Sequence, residues 1–208
     1  MSLVFFKEKA LDRILIVSSS ESGTKVLTDL LRSAGFENIT ASSSAADARR
    51  RSTVESYDLS IINMPLNDET GKELSFDIAD KNVSGVITIV NNGHEQIIGS
   101  FGRKKGIYIV MKPLNRRMFL DAVVFVLTAQ KQKLRLIKKN EELARALTDL
   151  KIITKAKFLL MEKNGMSEEN AHHFIERSAM DQRLSKRYVA EAVISAEGIP
   201  KEWENRDE

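Results

Sequence analysis

Short apolar runs that alternate with amphipathic stretches constrain the first half of this chain more than any other feature. Arg13–Val17, Leu59–Ile62, Val86–Val90 and Ile107–Met111 are continuous apolar runs, and Asn38–Ala41 is a shorter strand-like segment. Runs this short are the mark of strands buried on both faces, not of helices. Between the first two, Thr24–Ala34 carries Val26, Leu27, Leu30, Leu31 and Ala34 at helical spacing and is closed by Gly35. Ser44 opens a second helix over Ser44–Val54. Strands that each lead into a helix predict a parallel sheet covered on both faces.

Five such repeats in about 115 residues match a flavodoxin-like α/β fold, whose usual strand order is 2-1-3-4-5. After Pro113 the pattern changes. From Arg116 to Asn164 there is neither proline nor glycine, which predicts the fifth helix running on into a long linker helix. Leu136, Leu143 and Leu150 lie seven apart, with Asn140 and Leu147 between them. This is an a/d stripe with one polar a position, a homodimer seam of coiled-coil type or a face packed within one chain. Asn164-Gly165 ends the helix; Ser167, followed by Glu168 and Glu169, starts the next, with Ala171, Phe174, Ile175 and Ala179 as its apolar face. Ser185 caps a third helix that buries Val189, Ala192, Val193 and Ala196, and Gly198 and Pro200 stop it. The expected organisation is a sheet domain over 1–116, its fifth helix and a coiled-coil linker over 117–140, an all-α module over 141–198 and an acidic tail over 199–208.

Several classes fall away on composition. No run of about 18 apolar residues exists, so no membrane-spanning helix is expected. The N-terminus, MSLVFFKEKALDR, lacks a small-residue cleavage site and does not read as a signal peptide; a cytoplasmic protein is expected. With no cysteine, disulfides and thiolate metal sites are excluded. His94, His172 and His173 do not make a metal-ligand spacing, and no nucleophile–base pair stands out, so neither a metal, a cofactor nor an enzyme is expected. The net charge of +3 says little, but residues 131–157 hold nine Lys/Arg against three acids. That clustering fits either a polyanion partner or a solvated helix face.

The N-terminal half resembles a response-regulator receiver domain. In that family acidic residues after the first strand bind Mg²⁺, an aspartate ending strand three accepts phosphate, a Ser/Thr ends strand four and a Lys-Pro follows strand five. Here ILIVSSSES places Ser18 and Ser19 at the acidic positions, YDLSIINMPLNDETGKEL places Asn63 at the phosphoacceptor, and VITIVNN places Val90 at the Ser/Thr. Lys112-Pro113 survives, and Gly71 keeps the family's spacing from position 63. Two serines and an amide offer no charge to a divalent cation, and an amide is no nucleophile for phosphoryl transfer. Asp58 and Asp68 are placed on the wrong side of strand three and in the loop beyond it. Lys112 is left to bond Asn63 or a backbone carbonyl. The resemblance thus implies a pseudo-receiver, still able to bind a regulatory partner through helix four, strand five and helix five.

The C-terminal third resembles the ANTAR antitermination domain. Leu143 and Leu147 precede KIITKAKFLLMEKNGMSEENAHHFIERSAMDQRLSKRYVAEAVI, in which Ala156-Lys157, Leu160-Met161, Gly165, Ser167–Glu169, Ala171, Ala179-Met180 and Ala190 or Ala192 fall at the family's positions. Phe158 departs from it, where glycine is common, adding bulk either to the core or to a contact surface. The resemblance implies binding of structured leader RNA stem-loops and prevention of terminator formation. Phosphates need Lys and Arg on one face, and loop bases need stacking or hydrogen-bonding partners. Lys155 and Lys157 on the first helix, with Arg183, Lys186, Arg187 and Tyr188 between the second and third, are the expected RNA contacts. Lys157 covering apolar surface, Tyr188 half-buried in the core, and the other cations as plain surface charge are the competing readings. The rival function is a protein-interaction scaffold that controls another regulator without RNA.

Overall fold

The computed structural model describes residues 11–81, 84–93, 96, 98–201 and 203. The N-terminal decapeptide, His94 and most of the acidic tail lie outside them. The described residues form β1 (Ile14–Ser18), α1 (Glu21–Ser33), β2 (Ile39–Ser42), α2 (Ala45–Val54), β3 (Leu59–Asn63), α3 (Lys72–Asp80), β4 (Gly85–Val90), α4 (Gly99–Lys104), β5 (Ile107–Met111), α5 (Arg116–Asn164), α6 (Glu168–Gln182) and α7 (Lys186–Ser195). The chain divides into two compact units that meet within α5, between Arg135 and Leu136. None of the described helices is long and apolar enough to cross a membrane.

The first unit is a five-stranded parallel sheet in the order β2-β1-β3-β4-β5, as the apolar runs predict. Side chains alternate across it because strand residues point to opposite faces. Leu15, Val17, Ile62, Val86 and Val90 face one layer, closed by α2 and α3 through Ala45, Ala48, Leu74 and Ile78. Ile14, Ile16, Leu59, Ile61, Ile87 and Ile89 face the other, closed by Leu27 and Leu31 of α1 and by Phe119, Val123 and Leu127 of α5. α5 approaches β4 so closely that a Cβ on Gly85 would stand 2.6 Å from Val126 Cγ1. Further along, Lys131 pairs with the nearly buried Asp12 at 2.7 Å.

Boundaries differ from the sequence reading where local bonds decide them. α1 begins at Glu21 because the Ser20 hydroxyl accepts from Gly23 N at 3.2 Å, an N-cap one turn earlier than Thr24. Gly35 then takes φ 90° just past the helix, the left-handed geometry of a C-terminal glycine. β3 reaches Asn63 because its ladder with β1 ends in the pair Ser18–Asn63.

The second unit has a core of Ala156, Leu160, Ala171, Ile175, Ala179, Val189, Ala190 and Val193. Half of these are alanines, so three helices approach closely around a small apolar centre. Ser167 and Ser185 cap α6 and α7 through Asn170 N and Tyr188 N. Phe174 is only partly buried. The buried face of α7 differs from expectation: Ala190 replaces Ala192, and Ala196 is exposed because it is the C-cap beyond the last helical turn.

Asp68 is a structural acid. Its two carboxylate oxygens each accept a backbone N–H at 3.0 Å, from Ala45 and Ala46 in the first turn of α2. Those bonds hold its carboxyl below the ordinary 3.8. A folded-state pKa below the unfolded one adds stability above the unfolded value, and this is lost as pH falls through the folded one. Asp68→Ala is therefore expected to melt below wild type at neutral pH, with the gap closing as pH drops below about 3.8. Thermal unfolding across pH measures this; a gap independent of pH would contradict the assignment.

Candidate functional site

At the C-terminal edge of the sheet, Ser18 and Asn63 end neighbouring strands in register. The Asn63 Nδ2 donates to Ser18 Oγ at 2.9 Å, and Ser18 is 2% exposed. The first turn of α1 lies over this pair at Gly23, where a Cβ would stand 2.8 Å from Asn63 Nδ2 and 3.1 Å from Ser18 Oγ. Asn63 Oδ1 is buried and accepts no hydrogen bond. Ser19 Oγ donates to the Pro65 carbonyl at 3.1 Å. Val90 is buried, and its carbonyl accepts from Lys112 N at 2.9 Å. The Lys112 ammonium, its pKa lowered by burial, donates to the Met64 carbonyl at 3.1 Å rather than to Asn63.

The structure thus brings together all the receiver-like positions, and they supply hydroxyls, an amide and one ammonium. Asp58 is turned away to accept from Arg13 N at 2.8 Å, and Asp68 caps α2. Among the described residues, no group of three or more His, Asp or Glu is placed to hold a metal.

In the second unit Arg183, Lys186, Arg187 and Tyr188 converge where α6 hands over to α7. Arg183 takes φ 54° at the end of α6 and is exposed, without an ion pair among the described residues. Tyr188 is 56% exposed and outside the core. Lys186 pairs with Glu176, while Arg187 bridges Asp149 at 3.0 Å and Glu191 at 2.8 Å. The pairing lowers the carboxyl of Glu176 and raises the Arg187 guanidinium. Lys155 and Lys157 do not share a side of α5, since two residues turn a helix by roughly 200°. Lys155 is exposed, whereas Lys157 is largely covered and holds Glu168 at the start of α6 at 2.8 Å.

Leu136, Leu143, Leu147 and Leu150 are each more than half exposed, and Asn140 is exposed beside them. The stripe continues further than the heptads suggest. Met161 lies roughly five turns beyond Leu143 on the same face, and Phe158, 64% exposed, stands beside it. The bulk of Phe158 is therefore outside the core. Sequence reasoning missed Glu176 as a hub, which lies 3.4 Å from His172 Nε2 and 3.9 Å from His173 Nδ1 as well as on Lys186. It also missed Trp203, which packs back on the three helices. Its aromatic character is the one signal the sequence carries for that role.

The chain joins a receiver-fold unit to an ANTAR domain: residues 141–194 match the model of the ANTAR domain family. The sheet unit is similar in fold to the signal receiver domain of an HD domain-containing protein from Pseudomonas fluorescens Pf-5, with a TM-score of 0.54 at 21% identity over 60% of this chain and 92% of that one. It is likewise similar to a CheY-like response regulator receiver domain protein from Methanospirillum hungatei, with a TM-score of 0.53 at 22% identity over 59% of this chain and 98% of that one. Over nearly its whole length the chain is similar to the transcriptional regulatory protein PdtaR of Mycobacterium tuberculosis, 23% identical across 94% of this chain and 96% of that protein. A shorter stretch is similar to the aliphatic amidase regulator of Pseudomonas aeruginosa, 27% identical over 43% of this chain and 45% of that protein.

Proposed function

We propose that the chain is an RNA-binding transcription antitermination regulator, binding leader-RNA stem-loops through residues 141–198 as a dimer. The observation that carries this reading is the ANTAR match at 141–194 on a chain whose full-length relative is named a transcriptional regulator. The proposed boundaries are a receiver-like unit over 1–116, its fifth helix and the coiled-coil linker over 117–140 and a tail from 199, and the proposed compartment is the cytoplasm. RNA phosphates meet the exposed Arg183 and Lys155 together with Lys186 and Arg187, and Tyr188 offers a ring to an unpaired base. Lys157 belongs to the contact set only if it leaves Glu168.

The receiver-like unit works without phosphoryl chemistry in this proposal. Ser18, Ser19 and Asn63 carry no charge for Mg²⁺, and Lys112 is turned to Met64. Input then comes from a partner protein, a small ligand or dimerisation. A partner surface is supported by Tyr108 and Phe125, whose exposed rings stand 6.1 Å apart between β5 and α5. The same patch favours the second reading, a scaffold that binds another regulator and no RNA.

Three outcomes follow. In binding assays across salt, Lys155→Glu with Arg183→Glu is expected to weaken hairpin-RNA binding and to flatten the dependence of log K on log salt, by about 0.7–0.9 for each phosphate no longer neutralised. Wild-type slope and affinity in this variant would sink the contact assignment, and no binding of any structured RNA by wild type would favour the scaffold. Leu143→Asp with Leu150→Asp is expected to convert a dimer to a monomer in sedimentation, and an unchanged dimer would remove the seam. Incubation with acetyl phosphate and Mg²⁺ is expected to leave the intact mass unchanged, in wild type and in Asn63→Asp alike. A phosphate adduct on wild type would overturn the pseudo-receiver.

A further inference from the structure

A groove of about 680 Å³ runs along the outer side of α6, walled on its far side by Trp203. Trp203 lies beyond the stretch that matches the ANTAR family and is the chain's single tryptophan. Its indole is half-buried against the three-helix core, as is Phe174. Asn170, His173 and Arg177 stand along the α6 wall and are exposed. The groove therefore mixes two aromatic rings with an amide, an imidazole, a guanidinium and two carboxylates, each carboxylate paired with a cation. Arg177 pairs loosely with Asp181, at 3.7 Å, and Asp181 also lines the groove. Glu176, which also lines the groove, holds Lys186, one of the cations proposed for RNA phosphate. Groove and phosphate contact thus share an edge.

We infer that this groove receives an unpaired nucleobase of the bound RNA, stacked on Trp203, with Asn170 and Arg177 bonding its edge. The inference rests on the RNA-binding reading and adds to it a site outside the family-matched residues. A flat heterocycle uses this mixture of groups: the rings supply stacking faces, and the amide and guanidinium supply donors and an acceptor in the plane of a base. An amphipathic peptide would need a continuous apolar wall, and the exposed polar groups of α6 interrupt one. The phosphate attached to such a base has a cation at hand in Lys186.

The single tryptophan makes the test direct. RNA hairpins with randomised loops are passed over the full chain, and a retained hairpin is titrated while tryptophan emission and electrophoretic mobility are followed together. The expected result is quenching in step with the mobility shift, and no quenching by a loop-free duplex of the same stem. Trp203→Ala is expected to weaken hairpin binding roughly 5- to 100-fold. Because Trp203 also packs on the core, Asn170→Ala, an exposed change on the rim, is measured beside it and is expected to weaken hairpin but not duplex binding. A retained hairpin that leaves emission unmoved and binds Asn170→Ala as it binds wild type overturns the groove while the RNA reading stands. Failure of wild type to retain any hairpin overturns both.

Discussion

The close contact of α5 with β4 fixes the first unit. The face carrying Ile61, Ile87 and Ile89 is covered by α1, by Phe36 just beyond it, and by α5, which supplies Phe119, Val123, Val126 and Leu127. Gly85 permits the approach, because any Cβ there would collide with Val126. The same helix, unbroken by proline or glycine through Asn164, then gives Ala156 and Leu160 to the core of the second unit. A substitution that unseats α5 from β4 acts on a helix that both units need. The polar pair Lys131–Asp12, one turn past Leu127, adds a charged anchor where the apolar contacts end.

In doubly wound sheets ligands bind outside the carboxyl ends of the strands, where the strand order reverses. In this chain that point lies between β1 and β3, and the two strand ends bond each other there through Ser18 and Asn63. Gly23 closes over them with no room for a side chain. A carboxylate at position 63 would face a hydroxyl and an ammonium already engaged with Met64, so its charge would have little to meet. The amide suits the place better: its donor is satisfied, and the cost of the unpaired Oδ1, roughly 1–3 kcal/mol for a buried acceptor, is confined to one atom.

What could be read from the sequence follows from the range of the interactions involved. The apolar runs located the strands to within a residue of the ladder, but burial on both faces holds for β1, β3 and β4 and fails at the edge strand β5, which exposes Tyr108 and Met111. The serine caps at 44, 167 and 185 were legible because a cap is bonded within three residues of itself. The start of α1 was not, since Ser22 and Gly23 are poor helix formers and the Ser20 cap, with Glu21 in the first turn, carries the helix through them. Asp68 read as a loop acid because its partners lie more than twenty residues away. In the same way the basic cluster could be located but not its counterions, since Asp149 reaches Arg187 across two helices.

Those counterions divide the cations into kinds. Exposed ion pairs are worth about 0–1 kcal/mol, so Arg187 and Lys186 give up Asp149, Glu191 and Glu176 at small cost when a phosphate arrives. Until then the acids hold both side chains in place and reduce the conformational freedom that binding must remove. Lys157 differs, for its side chain is mostly covered and its partner Glu168 also sits in the first turn of α6, facing the positive helix end. Moving Lys157 to a phosphate would give up a contact between α5 and α6 and leave Glu168 with the helix end alone, while the apolar core still joins the two helices. In the proposed RNA complex, Lys155 and Arg183 therefore supply the charge that releases counterions, Lys186 and Arg187 supply orientation, and Lys157 stays with Glu168 beside the apolar core that holds the helices together.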